Sequence, residues 1–119
     1  MTIYETLGEA KIKKMVTLFY EAIADDDLIR PMYPKELAPA EDRLYLFLIQ
    51  VFGGPTVYSE KRGQPMLRRR HFPYAIDMNA SDRWLKYMSE AITEIEMTEE
   101  TRIQVLGYFG RAALWMVNR

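Results

Sequence analysis

Apolar residues in this chain recur at steps of three and four almost from end to end, and no stretch alternates polar with apolar residues for long enough to propose a sheet. The spacing predicts an all-α fold. Ile12, Met15, Val16, Phe19, Tyr20 and Ile23 share one stripe of a helix running from about Ala10 to Ala24. The acidic run Asp25, Asp26, Asp27 ends it, with Asp27 set to cap a short turn of Leu28, Ile29 and Met32 that Pro34 stops just after Tyr33. A second helix begins near Pro39, presents Leu44, Phe47, Leu48 and Val51 on its apolar face, and ends at "FGGP", Phe52 to Pro55. Gly53 to Gln64 reads as a loop whose only large aromatic is Tyr58. Pro65 can open a short helix through "MLRRRH", which Pro73 ends near His71. Asn79 or Ser81 then caps a long helix carrying Trp84, Met88, Ile92 and Ile95. Thr98 caps the last, with Ile103, Leu106, Phe109, Ala113, Met116 and Val117 as its stripe. Five substantial helices with irregular connections are expected, built by residues 1–119 as one domain.

Composition narrows the chemistry. Sixteen Lys and Arg face seventeen Asp and Glu, so the whole chain lacks the positive field that general nucleic-acid binding needs. Without cysteine there are no disulfides, no thiolate-held zinc or iron–sulfur cluster, and no thioether-attached haem. The N-terminal "MTIYETLGEA" is no leader peptide, and no apolar run reaches membrane-spanning length, so a cytoplasmic protein without a membrane partner is expected.

The chain has a single histidine, His71, directly behind Arg68, Arg69 and Arg70. A lone imidazole often packs as a structural residue with one nitrogen hydrogen-bonded. Here, however, a short helix held between Pro65 and Pro73 would present it from a constrained backbone, as an axial metal ligand requires. A non-haem site would need further nitrogen or sulfur donors that the chain lacks, and the di-iron carboxylate motif fails because Arg68 stands three residues before His71. Haem is the metal site that one protein histidine can satisfy. The arginines also have two readings. Successive helical residues point about 100° apart, so the three cannot all serve one ligand. Arg70, beside the histidine, can hold a propionate through charge-assisted hydrogen bonds, with Tyr58 as a neutral donor. Otherwise Arg68 to Arg70 form the basic patch of a non-enzymatic helical interaction module directed at an acidic partner.

The segments "FYEAIADDDLIRPMYP", "LAPAEDRLYLFLIQVFGGPTVYSEKRGQPMLRRRHFPYAI", "DRWLKYM" and the terminal "MVN" together resemble the truncated haemoglobins, specifically their second group, or O type. The long loop pattern around "GGPTVYSEKRGQPMLRRRHFPY" is the most specific part. Tyr74 stands where phenylalanine is usual, Gln64 replaces a common histidine, and "VFGGP" departs from the usual aromatic pair before the glycines. The resemblance implies a shortened two-on-two globin sandwich holding haem b, non-covalent iron protoporphyrin IX, with His71 as proximal ligand. It places Tyr20, Tyr33 and Trp84 in the distal pocket, with Ala40 and Leu44 over the haem. Phe47, Leu48, Met66, Leu67, Ile76 and Met88 are candidate pocket walls beside Arg70 and Tyr58. The implied ligands are dioxygen, carbon monoxide and nitric oxide, with nitric oxide dioxygenation or peroxide-dependent oxidation as further activities and an unidentified reductase as partner. A homodimer is left open.

Overall fold

The computed structural model describes every residue except Phe72, and every side chain except those of Leu67, Arg68 and Phe72. The secondary structure of the described residues is helical throughout: α1 (Ile3–Leu7), α2 (Glu9–Ile23), a 3-10 turn (Arg30–Met32), α3 (Ala38–Val51), α4 (Val57–Arg62), α5 (Leu67–His71), α6 (Met78–Thr93) and α7 (Glu99–Trp115). Among them no helix is long and apolar enough to cross a membrane. Four long helices carry the fold: α2 packs on α3 and on α6, and α6 packs on α7.

The α2 stripe read from the sequence is the center of the core, since Ile12, Met15, Val16, Phe19, Tyr20 and Ile23 are all buried. Burying a side chain of this size removes enough apolar surface to contribute roughly 1.5–3 kcal/mol before conformational entropy is counted. Met88 and Ile92 join that core from α6, Ile95 from just beyond its end, and Val105 and Phe109 from α7.

Several helix boundaries differ from the sequence expectation, each for a local reason. The cap after α2 is Asp26 rather than Asp27: its Oδ1 accepts the amides of Leu28 and Ile29, both at 2.8 Å. The cap of α6 is Asp77 rather than Asn79 or Ser81, and it accepts the Ala80 amide at 2.9 Å, so the helix starts at Met78. Thr98 does cap α7, through the Thr101 amide. Val51 and Ile103, expected on apolar faces, are 42% and 63% exposed, and Ile49 and Val105 are buried instead. The stripe on each helix is therefore displaced by about one residue, roughly 100°, at one end from the spacing first counted.

The expected loop from Gly53 to Gln64 contains α4. Its first turn is held from α3, because Gln50 accepts the Ser59 amide at 3.0 Å and donates to the Ser59 hydroxyl at 2.7 Å. This cap lies nine residues upstream, outside any local signal. A further helix, α1, opens with a capping box in which Thr2 accepts from the Glu5 amide and Glu5 accepts from the Thr2 amide. It lies across the end of α3, where the Tyr4 amide donates to the Phe52 carbonyl at 2.8 Å. The glycine pair permits that approach: a Cβ on Gly53 would stand 2.6 Å from Thr2, and one on Gly54 would stand 2.7 Å from the Tyr4 ring.

Asp26 does more than cap. Its Oδ2 accepts from Arg83 Nη1 at 3.1 Å and from the Tyr87 hydroxyl, so the irregular segment after α2 is tied to α6. The Tyr87 hydrogen bond, followed by the Ile29 and Leu28 amides and Arg83, holds the Asp26 carboxyl well below the usual carboxylate range against the opposing effect of burial. An unfolded chain titrates this group near about pH 3.9. Since the folded-state value is the lower one, the stabilization is complete above that pH and is lost as pH falls toward the folded value. Urea unfolding between about pH 7 and pH 3 is expected to show Asp26→Asn destabilized by roughly 2–3 kcal/mol at neutral pH. The variant should also lose less stability on acidification than the parent.

Candidate haem site

Where α2, α3, α6 and α7 converge with α5, the helices enclose a cavity of about 370 Å³. Tyr20 lines it from α2 and Tyr33 from the segment after the 3-10 turn. Ala40, Arg43, Leu44, Phe47 and Leu48 line it from α3, and Trp84 from α6. His71 lines it from the last residue of α5, with Tyr58, Arg62, Arg70, Tyr74 and Ile76 around that end. The wall from α7 is Tyr108, Phe109, Ala112, Ala113 and Met116. Four of the lining residues are buried alanines, Ala40, Ala80, Ala112 and Ala113, so the helices meet here through small side chains and leave room between them.

The polar aromatics form one cluster. The rings of Tyr20 and Tyr33 pack edge to face with centroids 5.6 Å apart, while Phe19 stands between Tyr20, at 5.3 Å, and Trp84, at 5.4 Å. Burial pushes the Tyr33 phenol up to about 12, although hydrogen bonding from the Trp84 and Tyr20 side chains pulls the other way. Tyr20 is raised too, first by burial and then by Tyr33. Both phenols therefore keep their protons at neutral pH and remain hydrogen-bond donors.

The sequence-predicted residues divide cleanly by position. Tyr20, Tyr33, Ala40, Leu44, Phe47, Leu48, Tyr58, Arg70, His71, Ile76 and Trp84 all line this one cavity. Met66 and Met88, expected as walls, do not. Met66 is 52% exposed with a left-handed backbone (φ 43°), and Met88 is fully buried in the α2–α6 core. The Leu67 side chain lies outside the described residues. Arg70 has structural work: its guanidinium donates to the carbonyls of Pro65 at 2.8 Å, Arg62 at 2.6 Å and Gln64 at 3.1 Å, which folds the α4–α5 connection onto itself. It also lies over the Tyr58 ring, at 5.8 Å from the centroid.

The donor set fits haem. Among the described residues no group of three or more His, Asp or Glu could hold a metal ion, so a metal here must bring most of its own ligands. A flat apolar macrocycle with two carboxylates matches a space walled by Leu44, Phe47, Leu48, Phe109 and Met116, with cationic Arg43, Arg62 and Arg70 also on its lining.

A family model described as bacterial-like globin matches residues 2–118. A group 2 truncated hemoglobin of Bacillus subtilis is 36% identical over 116 residues, covering 98% of this chain and 88% of that protein. This chain belongs to the group II truncated haemoglobins. Its fold is that family's two-on-two globin sandwich, and membership makes it a globin-type haem protein that binds oxygen. Among solved structures, the hemoglobin of the thermophilic phototroph Chloroflexus aurantiacus is 42% identical with a TM-score of 0.97, covering 100% of this chain and 99% of that one. The thermostable hemoglobin of the actinobacterium Thermobifida fusca is 46% identical with a TM-score of 0.96, covering 99% and 98% respectively.

Sequence reasoning missed two kinds of residue in this truncated globin. The α7 wall was read as ordinary core, and nothing in helical spacing separates a residue facing a cavity from one facing a neighbor. The second omission is Asn118, which fastens the chain around His71. Its Nδ2 donates to the carbonyls of His71 at 3.2 Å and Tyr74 at 2.9 Å, its Oδ1 accepts the Ile76 amide at 3.0 Å, and its own amide donates to the Ile76 carbonyl at 2.9 Å. A signal was present in "MVN" at the end of the chain, but its partners lie more than forty residues away. Asn118→Ala leaves three side-chain hydrogen bonds unmade and is expected to destabilize the protein by roughly 1–3 kcal/mol. Hydrogen exchange should locate the loosening in residues 71–76; uniform protection in that segment would contradict this role.

Proposed function

We propose that residues 1–119 act as one globin domain that holds haem b with His71 as the proximal iron ligand and retains dioxygen against Tyr20, Tyr33 and Trp84. The observation that carries this reading is that the chain's one histidine and its three donor aromatics, Tyr20 buried and Tyr33 and Trp84 half-buried, line the same cavity. Bound haem supplies the iron at which dioxygen, carbon monoxide or nitric oxide coordinates. Everything else is the work of the protein's side chains.

Tyr33 is the principal donor in this proposal. Burial holds its phenol protonated at neutral pH, with hydrogen bonding to Trp84 and Tyr20 opposing that effect, so it can serve as a donor to a ligand. Tyr20 and Trp84 then orient Tyr33 as well as adding polarity. A bound dioxygen carries partial negative charge, which a phenol O–H held in a buried site stabilizes. From α3, Leu44 and the small Ala40 line the same cavity and bring no hydrogen-bonding side chain to compete for the ligand, while Arg43 lies on the lining between them. At His71 the backbone is constrained by Asn118, which fixes where the imidazole meets the metal.

Hydrogen bonds contributing about 1 kcal/mol each slow ligand release several-fold apiece. Slow release suits storage or chemistry better than delivery. Nitric oxide dioxygenation or peroxide-dependent oxidation at this site fits that property, and nitric oxide dioxygenation leaves ferric iron that an external reductant must return to the ferrous state.

Oxygen dissociation measured by rapid mixing is expected to accelerate about tenfold or more in Tyr33→Phe and by a smaller factor in Trp84→Phe, whose loss frees Tyr33 to reorient. Unchanged rates in both would reject the donor cluster. In the same series His71→Ala should lose haem or the five-coordinate ferrous spectrum; an ordinary imidazole linkage persisting without it would reject the proximal assignment.

A further inference from the structure

Cationic residues are unevenly distributed along this chain. Five of the sixteen Lys and Arg (Lys61, Arg62, Arg68, Arg69 and Arg70) fall in residues 61–76, which contain no Asp or Glu, leaving eleven cations against seventeen acids elsewhere. This segment, flanked by Glu60 and Asp77, is thus strongly positive in an otherwise acidic chain. Lys61, Arg62, Arg69 and Arg70 are exposed. Among the described residues the ion pairs within 4.0 Å are those of Arg83 with Asp26 and Asp27, and none of them involves Lys61, Arg62, Arg69 or Arg70.

The patch coincides with an opening. Arg62, Arg70 and Tyr74 line the cavity and are also exposed, so the cavity reaches the surface among them. Arg62 and Arg70 are positioned to meet the two carboxylates of a bound haem. Lys61 and Arg69 do not line the cavity, and their charge is directed at the solvent outside its mouth. Tyr74, 42% exposed, and Met66, 52% exposed, add large apolar groups on the same segment. Cations around exposed aromatic and methionine side chains are the composition of a protein-docking face.

We propose that this face docks a small acidic electron-carrier protein, of the flavodoxin or plant-type ferredoxin class, which delivers single electrons to the haem through the cavity mouth. The inference rests on the haem reading above and adds the partner's chemistry and its place of contact. Each transfer takes one electron from the carrier's reduced center and converts ferric to ferrous iron; no covalent bond is made or broken. A compact acidic protein can engage the patch alone. An extended polyanion such as duplex DNA, or an anionic bilayer, would also meet the net negative remainder of the surface and be repelled by it. Steering of this kind acts on the encounter rate and is screened by salt.

The test mixes ferric, haem-loaded protein anaerobically with a reduced flavodoxin under carbon monoxide and follows the appearance of the ferrous carbonyl spectrum. The bimolecular rate constant is expected to fall about tenfold or more between about 20 mM and 500 mM sodium chloride. The double variant Lys61→Glu, Arg69→Glu should lower it about tenfold at low salt. Reduction by free reduced riboflavin, the carbon monoxide spectrum and the thermal midpoint should stay as in the parent. Titration with oxidized flavodoxin should show the matching loss of affinity. Rates indifferent to salt and to charge reversal overturn the proposal. So does tighter association, at equal ionic strength, with phosphatidylglycerol vesicles or duplex DNA than with flavodoxin. Failure of the haem reading is seen separately as the absence of a Soret band, while the titration still scores the docking face.

Discussion

Helix packing can hold helices, but it cannot by itself hold the irregular chain between them, and in this protein two of the chemically important side chains are attached to irregular chain. Tyr33 follows a single 3-10 turn, and His71 ends a five-residue helix with no intrinsic stability of its own. Each is secured by one polar side chain reaching across the fold. Asp26 gathers the amides of its own turn and joins them to Arg83 and Tyr87, the residues that flank Trp84 on α6. Asn118, just beyond α7, gathers the backbone from His71 to Ile76. One clamp joins a segment beside the cavity to α6 and the other joins one to the residues just beyond α7; both helices line the cavity. The distances among the cavity's polar groups therefore depend on a few hydrogen bonds made outside it.

This explains what could and could not be read from the sequence. The α2 stripe was legible because six residues at regular spacing all meet the same core, and local periodicity is sufficient for that. Thr98 was legible as a cap because its partner lies three residues away. The helix α4 was not, because Gln50 on another helix stabilizes its first turn. Choosing Asp27 over Asp26 was a choice between neighbors with identical side chains, which only the location of Arg83 and Tyr87 decides. Val51 and Ile103 satisfied the spacing yet face solvent, since the count fixes a stripe only to within a residue at each end.

The candidate site shows the same division. Residues convergent on the cavity from five different segments were named through a family resemblance, and residue chemistry alone had reached no further than a single histidine suited to haem with Arg70 and Tyr58 beside it. Met66 follows the lining residue Pro65 but is itself exposed, and Met88 lies one turn beyond Trp84 but is buried in the core, so neither is among the cavity's walls. The arginine run admitted two readings at the outset, and the structure separates its members. Arg70 binds three carbonyls of its own loop, while Arg69 remains outside the cavity lining. A place on the cavity lining and a place outside it are thus distributed over adjacent residues.

The four lining alanines carry a consequence for the life of the protein in a cell. Interiors reach ordinary density only when filled, and here the helices themselves do not fill the middle. The prosthetic group is then a component of the core, and its uptake is coupled to folding by mass action. Newly made chains that outnumber the available haem are the ones that open most readily and that proteases reach first. The haem-free chain is accordingly the less stable form, lacking a part of its own interior.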